Sequence, residues 1–216
     1  LELEPQDCWA QHAVAHVLEM QGRQVEAISF MQDRTENWAQ PDNAFQFHNW
    51  WHTALFNLDQ DRFERVLQIY DDGVRPEPEK IQLMQLDASA LLWRMHLRGL
   101  DVGSRWNELA DLYEHDDEAG FYAFNDMHAM MAFAATERES AMQLRLDTMR
   151  ETARGQDTNA QMTRQVGLPI ALAVAAFSRK DYREAVDHLM PVRYRAHIFG
   201  GSHAQRDIVH RTLIEA

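Results

Sequence analysis

The stretch FNLDQDRFERVLQIY, residues 56–70, carries the pattern from which the fold is predicted. It has an apolar helix end, a tight polar turn, and then an aromatic residue, a glutamate and an apolar pair. The same plan recurs in LEMQGRQVEAISFM (18–31) and in AAFSRKDYREAVDHL (175–189). This is typical of the turn and second helix of a tetratricopeptide-type unit, whose ordinary length is about 34 residues. The chain is therefore predicted to repeat a helix-turn-helix unit.

Helical periodicity extends this pattern along the whole chain. Breakers such as Gly22, AQPDN (39–43) and FGGS (199–202) separate the periodic segments, and none of these segments alternates apolar and polar residues as a strand does. The prediction is all-α: an α-α superhelix, a solenoid of about five helical hairpins, with residues 1–216 as a single domain. The predicted helices are 7–21, 24–34, 43–59, 62–72, 79–98, 104–114, 120–135, 138–153, 160–178, 181–189 and 202–215.

Composition excludes several classes of function. The formal net charge of −13 would repel phosphates, so no nucleic-acid partner is expected. No apolar run approaches the roughly 20 residues of a membrane span, so no membrane partner is expected. Cys8 is the only cysteine, which indicates a reducing compartment and predicts a cytoplasmic location.

Two His-x-x-x-His pairs, HAVAH (12–16) and HNWWH (48–52), are the main functional signal. Imidazoles four residues apart on one helix face can chelate a transition metal such as zinc. His12 and His16 share a polar face with Glu19, whereas His48 and His52 fall among apolar residues. The alternative is that the first pair is an ordinary polar face and the second pair consists of hydrogen-bonded core histidines.

Further polar residues belong to the first helices of later hairpins. Asp87 falls among apolar residues and so needs a partner, either within a site or as an ion pair with Arg94. His128 shares a face with Asn125, while Asp126 points away from it. If the first helices line the concave surface of the solenoid, Asp87 and His128 face the same concave surface as the four histidines.

The segment PVRYRAHIFGGSHAQRD (191–207) is different in kind. Ser202 and Gln205 have the spacing of a capping box that begins the last helix. The helix N-terminus, with Arg193 and Arg206 nearby, predicts an anion or carboxylate site. The alternative is simple capping, with acidic partners for the arginines.

Several of these segments together resemble the tetratricopeptide repeat protein 38 family: WAQHAVAHVLEMQGR (9–23), HNWWHTAL (48–55), FNDMHAMMA (124–132) and the 191–207 segment. The resemblance implies an α-α repeat fold and a chain that is a portion of a longer protein. It implies no reaction, because none is established for the family. The positions that match the family pattern are His12, His16, His48, His52, Asn125, Asp126, His128, Gln205, Arg206 and Asp207.

Two functional hypotheses follow. In the first, a histidine-lined concave pocket binds a small ligand or a metal, and hydrolysis is a reaction that it could support. The metal ligands are then His12, His16, His48 and His52, the catalytic candidates are Glu19, Asp87 and His128, and the ligand-binding candidates are Asn125, Asp126, Arg193, Gln205, Arg206 and Asp207. In the second, the array is a scaffold that binds a peptide or partner protein in its groove without catalysis. The apolar content also allows a homodimer.

Overall fold

The computed structural model describes residues 3–78 and 80–216, and within these ranges the chain is helical and contains no β-strand. It divides into two compact units, one ending at Leu91 and the other comprising Leu92–Ala216. The first unit contains α1 (Cys8–Met20), α2 (Gln24–Gln32), α3 (Thr35–Trp38), α4 (Gln46–Leu58), α5 (Phe63–Ile69), a π-helical turn (Tyr70–Val74) and the beginning of α6 (Gln82–Leu97). The second contains the end of α6, α7 (Arg105–Glu114), α8 (Ala123–Ala135), α9 (Glu139–Thr152), α10 (Thr158–Met162), a π-helical turn (Thr163–Gly167), α11 (Leu168–Ser178), α12 (Tyr182–Leu189), a 3₁₀ turn (Ala196–Phe199) and α13 (His203–Glu215).

The predicted all-α class is confirmed, and each predicted helix is present, with ends that differ by a few residues. The predicted start of helix 79–98, at residue 79, lies outside the described residues. The predicted helix 160–178 is divided into α10 and α11 by the π turn Thr163–Gly167. The short α3 was not predicted. It ends on Trp38, which is fully buried and donates its indole N–H to the carbonyl of Met31 at 3.1 Å, so tertiary packing rather than helix propensity holds this turn.

One turn recurs between consecutive helices. Its central residue has a positive φ, and the next residue donates its N–H to the carbonyl five positions earlier, which is the Schellman pattern. The central residues are Gly22, Asp61, Gly99, Glu137 and Lys180, at successive intervals of 39, 38, 38 and 43 residues. The donated bonds are Arg23 to Leu18 (2.9 Å), Arg62 to Asn57 (3.0 Å), Leu100 to Met95 (3.1 Å), Arg138 to Phe133 (2.9 Å) and Asp181 to Ala176 (3.0 Å). The recurring turn agrees with a repeated hairpin, and the superhelical arrangement of the hairpins stays a prediction.

In the first unit, α4 is the central helix. It is buried on almost every side from Phe47 to Leu58, and it contacts α1, α2 and α5. A buried apolar cluster packs α1 against its neighbours. It contains Ala15, Leu18, Ala27, Ile28, Met31, Trp38 and Phe56. Because this apolar core sets the position of α1 relative to α4, it also sets the positions of the histidines on both helices.

In the second unit, α8 has the central place. It is buried from Ala123 to Ala134 apart from Asn125, and it contacts α7, α9 and α11. Within residues 3–78 and 80–216, every helix is too short or too polar to span a bilayer.

Candidate metal centre

The two His-x-x-x-His pairs meet in the first unit. Residues four apart lie on one face of a helix, so His12 and His16 project together from α1, and His48 and His52 project together from α4. One ring nitrogen from each of the four imidazoles lies within 4.8 Å of the others. Ring centroids are 4.4 Å apart in the α1 pair and 5.0 Å apart in the α4 pair. Across the helices, His16 and His52 approach to 4.4 Å and His12 and His48 to 4.9 Å.

The cluster is buried on the α4 side and reaches solvent on the α1 side. His52 is fully buried and His48 is 5% exposed, whereas His12 and His16 are half-buried. Burial, together with the neighbouring His48 and His16, lowers the pKa of His12 to about 3. His12 is therefore neutral at physiological pH and keeps a nitrogen lone pair.

The carboxylates of Asp87 and Glu19 lie beside ring nitrogens of the cluster. The Nδ1–H of His48 donates to Oδ2 of Asp87 at 2.6 Å, and both side chains are buried. This bond leaves Nε2 of His48 available as a ligand and fixes the orientation of the ring, as the outer carboxylate does at histidine–metal sites. Glu19 is half-buried, with Oε2 at 3.6 Å from Nδ1 of His52 and at 3.9 Å from Nδ1 of His16.

The ring of His12 carries a nitrogen that the described part of the chain leaves unsatisfied. Nε2 of His12 is buried and has no hydrogen-bond partner there. Burying a polar group without a partner costs free energy, so such a group calls for an explanation. A bound cation would supply one, because a neutral imidazole is the commonest metal ligand.

The set of donors therefore could hold a metal ion. Four imidazole nitrogens can supply the tetrahedral set that zinc prefers, with Zn–N distances of about 2.0–2.1 Å. Two ligands of one ion then lie at most about 4 Å apart, so nitrogens within 4.8 Å need only small changes of side-chain rotamer to meet it. The predicted metal-ligand residues are thus brought together.

The remaining predicted residues are distributed over both units. Asp87 lies beside His48, and Glu19 lies beside His16 and His52, as described above. His128 belongs to the Leu92–Ala216 unit, where it is buried and its Nδ1–H donates to the carbonyl of Phe124 at 2.8 Å. Burial lowers the pKa of His128 to about 4, so it is a neutral, hydrogen-bonded core residue of α8.

Asp126 and Asn125 also lie on α8. Asp126 is fully buried, and its Oδ1 accepts from Nη1 of Arg145 at 2.8 Å and from the backbone N–H of Gly120 at 3.0 Å. Burial raises the pKa of the Asp126 carboxyl, and the bonds from Arg145 and Gly120 oppose that rise. Asn125 is half-buried in the first turn of α8.

The C-terminal candidates make local contacts. The capping box is present: Ser202 Oγ accepts from the Gln205 N–H at 3.3 Å, and Gln205 Oε1 accepts from the Ser202 N–H at 2.9 Å. Arg193 and Arg206 each donate to a backbone carbonyl, of Met190 and Gly201 respectively. Asp207 pairs with Arg211 one turn further along α13. The anion site proposed for this region stays a prediction.

Sequence reasoning missed Arg145. It is 4% exposed, bridges Asp126 to the carbonyl of Tyr113, and lies on α9 without any recognisable motif. The available signal was indirect: a buried aspartate on α8 needs a cationic partner, and arginines near the predicted helix 138–153 were candidates.

No protein-family profile matches the chain, and no solved structure matches it.

Proposed function

We propose that this protein is a helical-repeat protein of the tetratricopeptide type that binds one divalent transition-metal ion through His12, His16, His48 and His52. The observation that carries the proposal is the convergence of four imidazole nitrogens within 4.8 Å from two separate helices. The recurring Schellman turn and the family resemblance support the repeat architecture.

The electrostatics of the cluster favour a dication over simple packing of histidines. Four neutral imidazoles bring no charge, so a dication bound by them alone would remain uncompensated in a partly buried place. In the described part of the chain, the carboxylates of Asp87 and Glu19 contact these rings, and together they would balance it. Imidazole ligands suit zinc, copper, iron and nickel, whereas magnesium and calcium prefer oxygen ligands.

A hydrolytic role would require water and substrate to reach the metal, and the half-buried rings of His12 and His16 leave that side of the cluster partly exposed. Zinc can expand from four to five ligands during catalysis, and a bound metal makes water a nucleophile near neutral pH. Glu19 is the half-buried carboxylate beside two of the rings and is our candidate for the general base. Asp87 accepts a hydrogen bond from His48, and we assign it the role of positioning that ring.

The proposal is tested by metal analysis of untagged protein. We expect close to one equivalent of a transition metal after purification, or after incubation of the chelator-treated protein with Zn²⁺ or Co²⁺ followed by dialysis. The variant His115→Ala removes an exposed histidine outside the cluster and should bind metal as the wild type does. A folded wild-type protein that retains less than a tenth of an equivalent of either ion contradicts the proposal.

Substitution of Asp87 by asparagine is expected to weaken zinc binding by about 10- to 100-fold, the usual effect of removing a charged partner from a metal-bound histidine. Asparagine keeps the size of the side chain and can still accept from His48, so the fold should persist. Zinc affinity is measured by competition with a chromophoric chelator. Asp72→Asn, which removes the same charge from an exposed position of the same unit, is the control. Equal affinities for the two variants would refute the positioning role of Asp87.

A second candidate function is favoured by a groove in the Leu92–Ala216 unit. Its volume is about 790 Å³, and it lies along α9 and the facing parts of α8 and α11. Its wall includes Leu144, which is 69% exposed, and the exposed carboxylates of Glu137 and Asp147. Such a surface suits a peptide with apolar and basic residues, as in a repeat scaffold that binds a partner without catalysis.

A further inference from the structure

The accessible edge of the histidine cluster is bordered by two aromatic residues, Trp9 and Phe45. Their rings stack with centroids 4.0 Å apart and planes inclined by 22°. Phe45 lies 5.0 Å from His12 and 5.0 Å from His48, and Trp9 lies 6.2 Å from His12. The aromatic pair therefore contacts the cluster on the side where His12 reaches solvent.

The backbone on both sides of the pair is fixed by polar caps. Oδ1 of Asp7 accepts from the N–H groups of Trp9 and Ala10 at 3.1 and 3.0 Å and caps α1. Oδ1 of Asn43 accepts from the Phe45 N–H at 3.0 Å just before α4. Trp9 nevertheless remains 61% exposed, although an indole buries a large apolar area when it can. One face of a rigidly placed indole is thus presented to solvent beside the metal ligands.

We infer that Trp9 and Phe45 receive the aromatic ring of a ligand whose head group binds the metal. The inference rests on the proposed metal site. The ligand class follows from the chemistry of the two parts: a carboxylate or another anionic or neutral oxygen donor reaches the ion, and a planar ring stacks on the open face of Trp9. We take the ligand ring to be uncharged, because the oxygen donor already binds the ion and the ring contributes only stacking on Trp9.

The test compares benzoate with acetate, which share a head group and differ in the ring. Both are titrated into the Co²⁺-loaded full chain, and binding is followed by the visible absorption of the cobalt. Stacking on one aromatic face contributes up to about 1.5 kcal/mol, so we expect benzoate to bind about tenfold more tightly than acetate. In Trp9→Ala the ratio should fall below twofold while acetate affinity and cobalt content stay unchanged, and Trp9→Phe should keep most of the preference.

The possible results separate the two proposals. A benzoate-to-acetate ratio of at least fivefold that is lost in Trp9→Ala and kept in Tyr194→Ala, an exposed aromatic residue of the other unit, supports the aromatic site. A cobalt-loaded protein with any other pattern refutes the aromatic site and leaves the metal centre standing. If cobalt does not bind the wild-type chain, the metal centre itself is refuted, and the aromatic site with it.

Discussion

Replacement of His52 by alanine is expected to weaken zinc binding by about 100- to 1000-fold. A four-ligand protein site contributes about 10–16 kcal/mol of binding free energy, so removal of one ligand loses roughly a quarter of it. His52 is the fully buried member of the cluster, and its ring lies within 5.0 Å of those of His12, His16 and His48. The affinity is measured by chelator competition at fixed pH.

Thermal unfolding gives an independent measure of the same site. Free zinc at 100 times its Kd should stabilise the wild-type chain by about 2.7 kcal/mol, and the same zinc concentration should stabilise His52→Ala by only a few tenths. His52→Ala leaves a small buried cavity that could itself lower the stability. His16→Ala is therefore a second variant, since His16 is only half-buried. Far-ultraviolet circular dichroism checks that both variants fold. An unchanged zinc-dependent shift of Tm in both variants would show that the ion binds elsewhere.

The helices were predictable because their signals are local. Periodicity and breakers located each main helix, and the turn pattern of residues 56–70 correctly placed a reversal that the structure builds around Asp61. The π turn Thr163–Gly167 was not predictable from such signals. At Gly167 the helix lies so close to α8 that an added Cβ would meet the Cβ of Ala123 at 2.5 Å, so the turn depends on a tertiary contact.

The candidate site was predictable in its residues and not in its geometry. The four-residue spacing placed each histidine pair on one face, and the apolar neighbours of His48 correctly indicated burial. That the two pairs converge depends on how α1 packs on α4. The bond between Asp87 and His48 joins residues 39 positions apart, which no local pattern encodes. Local sequence signals also give no reason to single out Trp9, whose importance comes from its exposure beside the cluster.

Replacement of Arg145 by methionine is expected to destabilise the protein by about 3–5 kcal/mol, because it leaves the carboxylate of Asp126 buried without its cation. Nη1 of Arg145 donates to Asp126 at 2.8 Å and Nη2 donates to the carbonyl of Tyr113 at 2.8 Å. The free energy of unfolding is measured in urea at pH 7. Arg138→Met removes an arginine that pairs with Asp111 and Glu114 at the surface, and it should cost less than about 1 kcal/mol.

The double variant Arg145→Met/Asp126→Asn separates the lost ion pair from lost packing. Removing both charges should recover part of the stability, since the penalty of the first substitution comes from a carboxylate that is left unpaired.

The stability of Arg145→Met should also depend on pH, and the direction of this dependence can be predicted. In Arg145→Met, the bond and the charge of Arg145 no longer oppose the effect of burial, so the pKa of Asp126 rises further and the carboxyl takes up a proton in the folded state as the pH falls. The deficit of Arg145→Met relative to wild type should therefore shrink between pH 8 and pH 5, and that of the double variant should not. A deficit independent of pH would assign the loss to packing and to the Tyr113 bond, and Asp126 would then need no cation.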